Sequence, residues 1–256
     1  MMKEDFKQDM VYGIRPVLEA IDAGKEVEKI LIQKGLRSEN FADLMNQLKE
    51  TNIPYQFVPI EKLHRITRKN HQGVVAYISP IVFDNIEQII PTIFEEGKIP
   101  LVIILDRITD VRNFGAILRT AEATGVHAVV IPSKSSAQLN SGTIKSSAGA
   151  IFKVPICRSD NLKYTIDFLT NSGLKIVAAT EKADDVYYKA DLSGPIALVL
   201  GSEGEGVSGE YLKRATLHVK IPLLGEIESL NVSVAAGVLM YEIVRQSEIQ
   251  EKNSHR

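Results

Sequence analysis

Apolar positions along this chain switch repeatedly between helical and strand spacing. Val17, Leu18 and Ile21 share one face of a helix over Tyr12 to Ala23, and Gly24 follows as its stop. KILIQ at 29–33 is a short apolar strand. Phe41, Leu44, Met45 and Leu48 line one side of an amphipathic helix over 41–51. YQFVP at 55–59 reads as a second strand, 60–69 as a basic helix and GVVAYIS at 73–79 as a third strand. The alternation predicts a small α/β unit over residues 1–79. Three prolines then punctuate 80–100, and residues 80–99 read as a linker carrying a helix at 84–95.

From residue 100 the runs become longer and more uniformly apolar. LVIILD at 101–106 is the pattern of a strand covered on both faces. HAVVIP (127–132), KVPI (153–156), KIVAAT (175–180), IALVLG (196–201) and LHVKIP (217–222) follow as strands. Helices are expected at 113–124, 141–149, 160–172, 207–213 and 231–247. This predicts a mostly parallel α/β domain over 100–256, with helices on both faces of the sheet.

Composition narrows the class. With 45% hydrophobic and 24% charged residues the chain is neither disordered nor fibrous. The single cysteine, Cys157, excludes an internal disulfide and argues against a Cys-based zinc site, which suits a reducing cytoplasm. The start, MMKEDFKQDM, has no apolar signal core, and no apolar run approaches the roughly 20 residues of a membrane helix. The net charge of −2, from 30 basic and 32 acidic residues, argues against coating nucleic acid by bulk charge. It leaves room for a local basic face. EKLHRITRKNHQG at 61–73 carries Lys62, Arg65, Arg68 and Lys69 against one acid, Glu61. That is either a solvated helix face or a phosphate-contacting patch, with Lys134 and Lys145 extending a basic rim.

Several chemistries lack their signatures. There is no phosphate-binding G-x-x-x-x-G-K-[ST] loop, no G-x-S-x-G elbow, and no G-x-G-x-x-G after the first strand of the second segment. The last absence disfavours a Rossmann oxidoreductase. His64, His71, His127, His218 and His255 show no metal-ligand spacing, so no metal is expected.

Three loop-to-helix junctions remain. In DRITDVRNFGAILRTAEATGV (106–126), Asn113 sits where a helix is capped, Gly115 permits close approach, and Arg119 follows Asn113 by six positions. Spacing alone leaves a capped surface helix with a solvated arginine equally open. In VLGSEGEGVS (199–208), three glycines follow an apolar strand, with Glu203 and Glu205 between them. This is a flexible turn or a ligand loop. Its two acids disfavour phosphate and suit a cationic or hydroxyl-rich ligand. In IPLLGEIESLNVSVAAGVLMYEIVRQ (221–246), Ser229 and Asn231 precede a helix that opens with the small residues Ser233, Ala235, Ala236 and Gly237. Pro222, Leu223 and Leu224 are core or the wall of an apolar pocket.

The fragments N-x-G-A-I-x-R-T-A, L-V-x-G-x-E-G-x-G and I-P…S-L-N-V-S-V-A resemble, in order and spacing, the three motifs of the SpoU (TrmH-like) branch of the SPOUT RNA 2′-O-methyltransferases. The resemblance spans about residues 98–247. VYGIRPVLEAI and HQGVVAYI are similar to the substrate-binding domain that precedes many such enzymes. SAQLNSGTIKSSAGAIFKVPI (136–156) resembles the bacterial 23S rRNA (guanosine-2′-O-)-methyltransferase group (RlmB-like) more than the tRNA guanosine group. Arg112 and Phe114 depart from the commonest form of the first motif, at positions with no proposed catalytic role.

The resemblance implies a deep C-terminal trefoil knot, S-adenosylmethionine bound bent within it, and a homodimer paired through the knot region. It carries catalytic roles onto Asn113, Arg119, Glu203, Ser229 and Asn231, and cofactor-binding roles onto Gly201, Ile221 and Leu230. Arg119 is implied as the group that activates the 2′-OH. A guanidinium has no acceptor and keeps its proton, so stabilising a developing alkoxide or anchoring a phosphate is the easier role. The expected activity is methylation of a guanosine ribose 2′-OH in 23S rRNA. The alternatives are a tRNA guanosine methyltransferase and a non-catalytic RNA-binding relative. Intact Asn113, Arg119, Glu203 and Asn231 count against the latter.

Overall fold

The computed structural model describes residues 10–254; the polar opening stretch 1–9 and His255 lie outside them. The chain forms two compact units. One runs through Val82 and includes Gln138–Ser141; the other comprises Phe83–Ala137 and continues from Gly142.

The first unit is a four-stranded mixed sheet. It holds β1 (Met10–Tyr12), α1 (Ile14–Asp22), β2 (Val27–Gln33), α2 (Phe41–Glu50), β3 (Tyr55–Val58), α3 (Ile60–Ile66) and β4 (Val74–Ile78), in strand order β1-β4-β2-β3. Strand alternation explains its two cores. Ile30 and Ile32 of β2 are buried against Val17 of α1 and Leu44 and Leu48 of α2. Leu31, between them in sequence, joins Val75 and Leu63 of α3 in a second cluster.

The second unit is built on seven strands. They are β5 (Leu101–Asp106), β6 (Ala128–Pro132), β7 (Ile156–Ser159), β8 (Lys175–Ala179), β9 (Asp185–Val186), β10 (Ile196–Gly201) and β11 (Leu217–Lys220). Their order is β7-β6-β5-β10-β8-β11-β9, and every pairing is parallel. The helices are α4 (Ile86–Glu95), α5 (Val111–Ala123), α6 (Ser141–Ser146), α7 (Leu162–Asn171), α8 (Gly209–Leu212) and α9 (Val232–Ser254). Val102, Ile104, Val130, Ile176 and Val199 face α4 and α7 through Ile90, Ile93, Ile166 and Leu169. Alternate strand residues such as Ile103, Leu105 and Leu198 are equally buried. Beyond them α5 packs on α9, and α9 on β10. No helix among the described residues is long and apolar enough to cross a membrane. The expected class, a mostly parallel α/β domain preceded by a small α/β unit, is the observed one.

Several local expectations differ. The 80–99 stretch is more than a linker. Ile86, Ile90 and Ile93 of α4 are buried in the second unit's core, and Pro91, inside the helix, sits on its exposed side. Residues 153–156 are not a strand. Ala150–Phe152 form a 3-10 turn, and β7 begins only at Ile156, after Pro155, which has no N–H for a ladder. α3 stops at Ile66 rather than 69, because Thr67 is extended and its hydroxyl accepts the Lys69 N–H at 3.1 Å.

Two histidines give the fold a pH dependence. Burial holds half-buried His127 below the ordinary histidine pKa, and its Nδ1 accepts the Leu101 N–H at 3.2 Å. Burial, then the neighbouring His64, lowers His71. A folded pKa below the unfolded one means that the unfolded chain takes up the proton first. The contribution of these two groups to stability is therefore fully present above about pH 6.5 and is lost as the pH falls below it. Thermal melts from pH 8 to 5 should show this decline. It should be shallower in His127→Asn, which keeps an acceptor; an unchanged slope would remove His127 from the account.

Candidate active site at the ends of β5 and β10

Ligands of parallel α/β sheets collect at the carboxyl ends of the strands. Here β5 and β10 end level, with Asp106 paired to Gly201. The loop after β10 folds straight back, and the Gly206 N–H donates to the Ser202 carbonyl at 2.9 Å. Gly204 (φ 90°) and Gly206 (φ 68°) take left-handed conformations that glycine adopts without penalty. The returning limb presses on Gly201 so closely that a Cβ there would lie 2.0 Å from the Gly206 carbonyl carbon.

The cap of α5 is Asp110 rather than Asn113. One Asp110 oxygen accepts the N–H groups of Arg112 and Asn113, at 2.8 and 2.9 Å. Asn113 thus lies in the first turn, with its side chain free to reach elsewhere. Its Nδ2 donates to Glu203 Oε1 at 3.1 Å, and its Oδ1 accepts from Asn231 Nδ2 at 2.9 Å. The same Asn231 nitrogen donates to Glu203 Oε1 at 2.6 Å. Asn231 Oδ1 accepts the N–H and hydroxyl of Ser233, capping α9. One residue from each junction therefore meets in a single cluster, in which two side-chain amides hold one carboxylate.

A cavity of about 270 Å³ opens beside this cluster. Gly201, Ile221, Leu230, Ser229 and Glu203 all line it. Leu200 and Val219 add apolar wall, while Glu181, Glu203 and Glu228 supply acid against one base, Lys220. With three acids to one base around an apolar body, the cavity suits a cationic, amphipathic ligand better than a phosphate. Leu223 lines the cavity, but Leu224 is fully exposed and is not part of the wall.

Other residues stand apart. Arg119 is exposed on α5, and its side chain makes no hydrogen bond or ion pair among the described residues. Lys62 and Arg65 on α3, Arg68 and Lys69 just after it, and Lys134 and Lys145 are all exposed. Thr180 and Glu181, at the carboxyl end of β8, line the cavity, and no sequence motif singled them out. Their only sequence signal is that they directly follow an apolar strand. Among the described residues no group of acids, histidines and cysteine is arranged to hold a metal ion.

Residues 100–241, more than half of the chain, match the model of the SpoU rRNA Methylase family. The chain belongs to the SpoU rRNA methylase family. The matched span contains all three members of the amide–carboxylate cluster and the whole cavity lining. Residues 10–82 match the model for RNA 2′-O ribose methyltransferase substrate binding, which encloses α3. A Staphylococcus epidermidis protein carrying the name TrmH family tRNA/rRNA methyltransferase is 39% identical over 248 residues, 96% of this chain and 98% of that one. Two solved structures share the fold. The AdoMet-bound rRNA methyltransferase of Sinorhizobium meliloti has a TM-score of 0.59 at 25% identity, covering 92% of this chain and 86% of that one. The SpoU methyltransferase AviRb of Streptomyces viridochromogenes also scores 0.59, at 24% identity, over 94% and 90%. This SpoU member is an RNA methyltransferase of the SpoU/TrmH type with an N-terminal substrate-binding unit.

Proposed function

We propose that this SpoU family member methylates the ribose 2′-OH of a guanosine in 23S rRNA, with S-adenosylmethionine as donor. The observation that carries the reading is the acid-rimmed apolar cavity set against the Asn113–Glu203–Asn231 cluster. When bound, the donor supplies a methyl group already activated on a sulfonium, so the protein's task is alignment and a route for the hydroxyl proton. Gly201, Ile221 and Leu230 receive its adenine and methionine parts through backbone groups and apolar surface. Glu181, Glu203 and Glu228 offset its positive charge, and two side-chain amides hold Glu203 in place. Arg119 stands beside the ribose and its phosphate and steadies the developing alkoxide. Ser229, lining the same cavity, helps hold the ribose.

The first unit captures RNA, with Lys62, Arg65, Arg68 and Lys69 on phosphates, and the second unit is catalytic. The reading includes a deep trefoil knot in the C-terminal part and a homodimer paired through it. Apolar exposure there supports the pairing: Leu224 is 100% exposed, Ile227 66%, Val234 53% and Tyr241 56%. We place the enzyme in the cytoplasm; its one thiol, Cys157, is buried, and that burial pushes its pKa up to about 12.

The runner-up acceptor is a tRNA guanosine. Incubation with labelled S-adenosylmethionine and rRNA or tRNA lacking native methylation, followed by mapping, decides between them. Label at a single guanosine 2′-O of 23S rRNA is expected. Label confined to tRNA would favour the runner-up, and no label in either pool would overturn the activity itself.

A further inference from the structure

We propose that Arg107 is a positioning residue that latches the cofactor loop and thereby sets Glu203; this rests on the reading of the cavity as the S-adenosylmethionine site. Asp106 ends a strand whose six residues are all buried, and it is itself 1% exposed. A buried carboxylate requires partners. Asp106 Oδ1 accepts Arg107 Nε at 3.0 Å, and Oδ2 accepts the Ser208 N–H at 2.7 Å, the Ser208 hydroxyl at 2.6 Å and Arg107 Nη2 at 3.3 Å. Arg107 Nη2 also donates to the Gly206 carbonyl at 3.1 Å, and Nη1 pairs with the Glu205 carboxylate. A single guanidinium therefore ties the end of β5 to two residues on the returning limb of the loop.

That limb needs a tie. Gly204 and Gly206 have no Cβ neighbours to confine them, and Glu203 stands immediately before Gly204. Arg107 itself holds φ 58°, a left-handed conformation that persists in a non-glycine residue only when its surroundings fix it. The latch has a dry inner half and a wet outer half. The Asp106 side chain is 2% exposed, Arg107 33% and Glu205 73%. Loss of the outer half should loosen the loop without opening the core, whereas loss of Asp106 would strand buried donors. Asn113 and Asn231 grip Glu203 from one side and Arg107 fixes the loop from the other, so the carboxylate is aimed before ligand arrives.

The test compares wild type, Arg107→Gln, Arg107→Lys and Glu205→Gln. Three readouts are used: S-adenosylmethionine affinity by calorimetry, separate KM values for cofactor and RNA, and amide exchange over 201–208 in ligand-free protein. Arg107→Gln should weaken cofactor binding about tenfold, raise the cofactor KM alike, leave the RNA KM unchanged, and speed exchange at Gly206 and Ser208. Arg107→Lys should recover only part, since an ammonium cannot form the fork. Glu205→Gln should shift the same readouts in the same direction by less, and it serves as the second variant should Arg107→Gln unfold. Wild-type affinity and exchange in Arg107→Gln would overturn the latch. So would a loss confined to melting temperature and kcat. If wild type binds no S-adenosylmethionine, the cavity reading falls, while faster exchange in Arg107→Gln would still report a tie on the loop.

Discussion

Replacing Arg119 with alanine is expected to lower methyl transfer about 10²–10³-fold, the loss typical of removing one preorganised donor from a developing anion. The melting temperature should not move. Arg119 is exposed and has no hydrogen-bonded or ionic partner among the described residues, and substitutions at such positions usually stay within about 0.5 kcal/mol. Folding and catalysis therefore separate cleanly here, as they would not at Asn231. There one side chain both caps α9 and grips Glu203, so any substitution mixes the two losses. Arg119→Lys should also be damaged, because a point charge replaces a planar fork. The check is kcat/KM on the RNA that accepts methyl, beside thermal melts of both variants. Wild-type turnover in Arg119→Lys would remove the arginine from the mechanism. The same exposure explains why the residue is ambiguous in the sequence: a solvated arginine on a helix and one waiting for RNA share the same spacing.

What is legible in the sequence follows from local physics. LVIILD and IALVLG form strands over the residues their apolar runs mark, because a strand covered on both faces needs apolar side chains at every position. Short elements leave little trace. Asp185–Val186 is only two residues long, and β7 starts three residues after its expected start because Val154, buried in the core, mimics a strand residue. The linker reading of 80–99 includes the helix but not its burial: the i, i+4, i+7 spacing of Ile86, Ile90 and Ile93 marks an apolar face that needs a core to cover it. The site divides likewise. Gly201, Ile221 and Leu230 are found through resemblance and do line one cavity. The hydrogen bonds from Asn113 and Asn231 to one Glu203 oxygen depend on β5 lying beside β10, a pairing no local pattern encodes. Asp106 carries a usable hint, since an acid closing a fully apolar strand must find partners once buried. The net charge of −2 also changes meaning: acids such as Glu181, Glu203 and Glu228 gather at the cavity, while Lys62, Arg65, Arg68 and Lys69 stand together on the first unit.

Gly201→Ala is expected to be among the most disruptive single methyls in the second unit. The added Cβ would lie 2.0 Å from the Gly206 carbonyl carbon, 2.1 Å from the Val207 nitrogen and 2.2 Å from the Gly206 oxygen. All three are backbone atoms, so no rotamer change relieves the clash and the returning limb must move. Gly115 is also tight: an added methyl would lie 1.9 Å from the Ser146 hydroxyl oxygen, 2.6 Å from its Cβ and 2.8 Å from the Ser147 nitrogen, so only the first of the three contacts is relieved by a rotamer change. Overpacking a rigid contact typically costs about 1–3 kcal/mol, and Gly201 should fall at the upper end. The functional loss should exceed what stability predicts. The limb that moves carries Glu205, Gly206 and Ser208, and its displacement drags Glu203 out of the amide grip and reshapes the cavity wall. S-adenosylmethionine affinity should drop more than tenfold even at temperatures where the variant remains folded. Gly204→Ala is the control. Nothing lies within 4 Å of its Cβ, so only the left-handed φ of 90° opposes it, at about 1–2 kcal/mol. Urea melts and cofactor titrations of both variants separate the two effects. Equal affinity losses at Gly201 and Gly204 would show that loop strain, rather than the contact with the returning limb, governs the site.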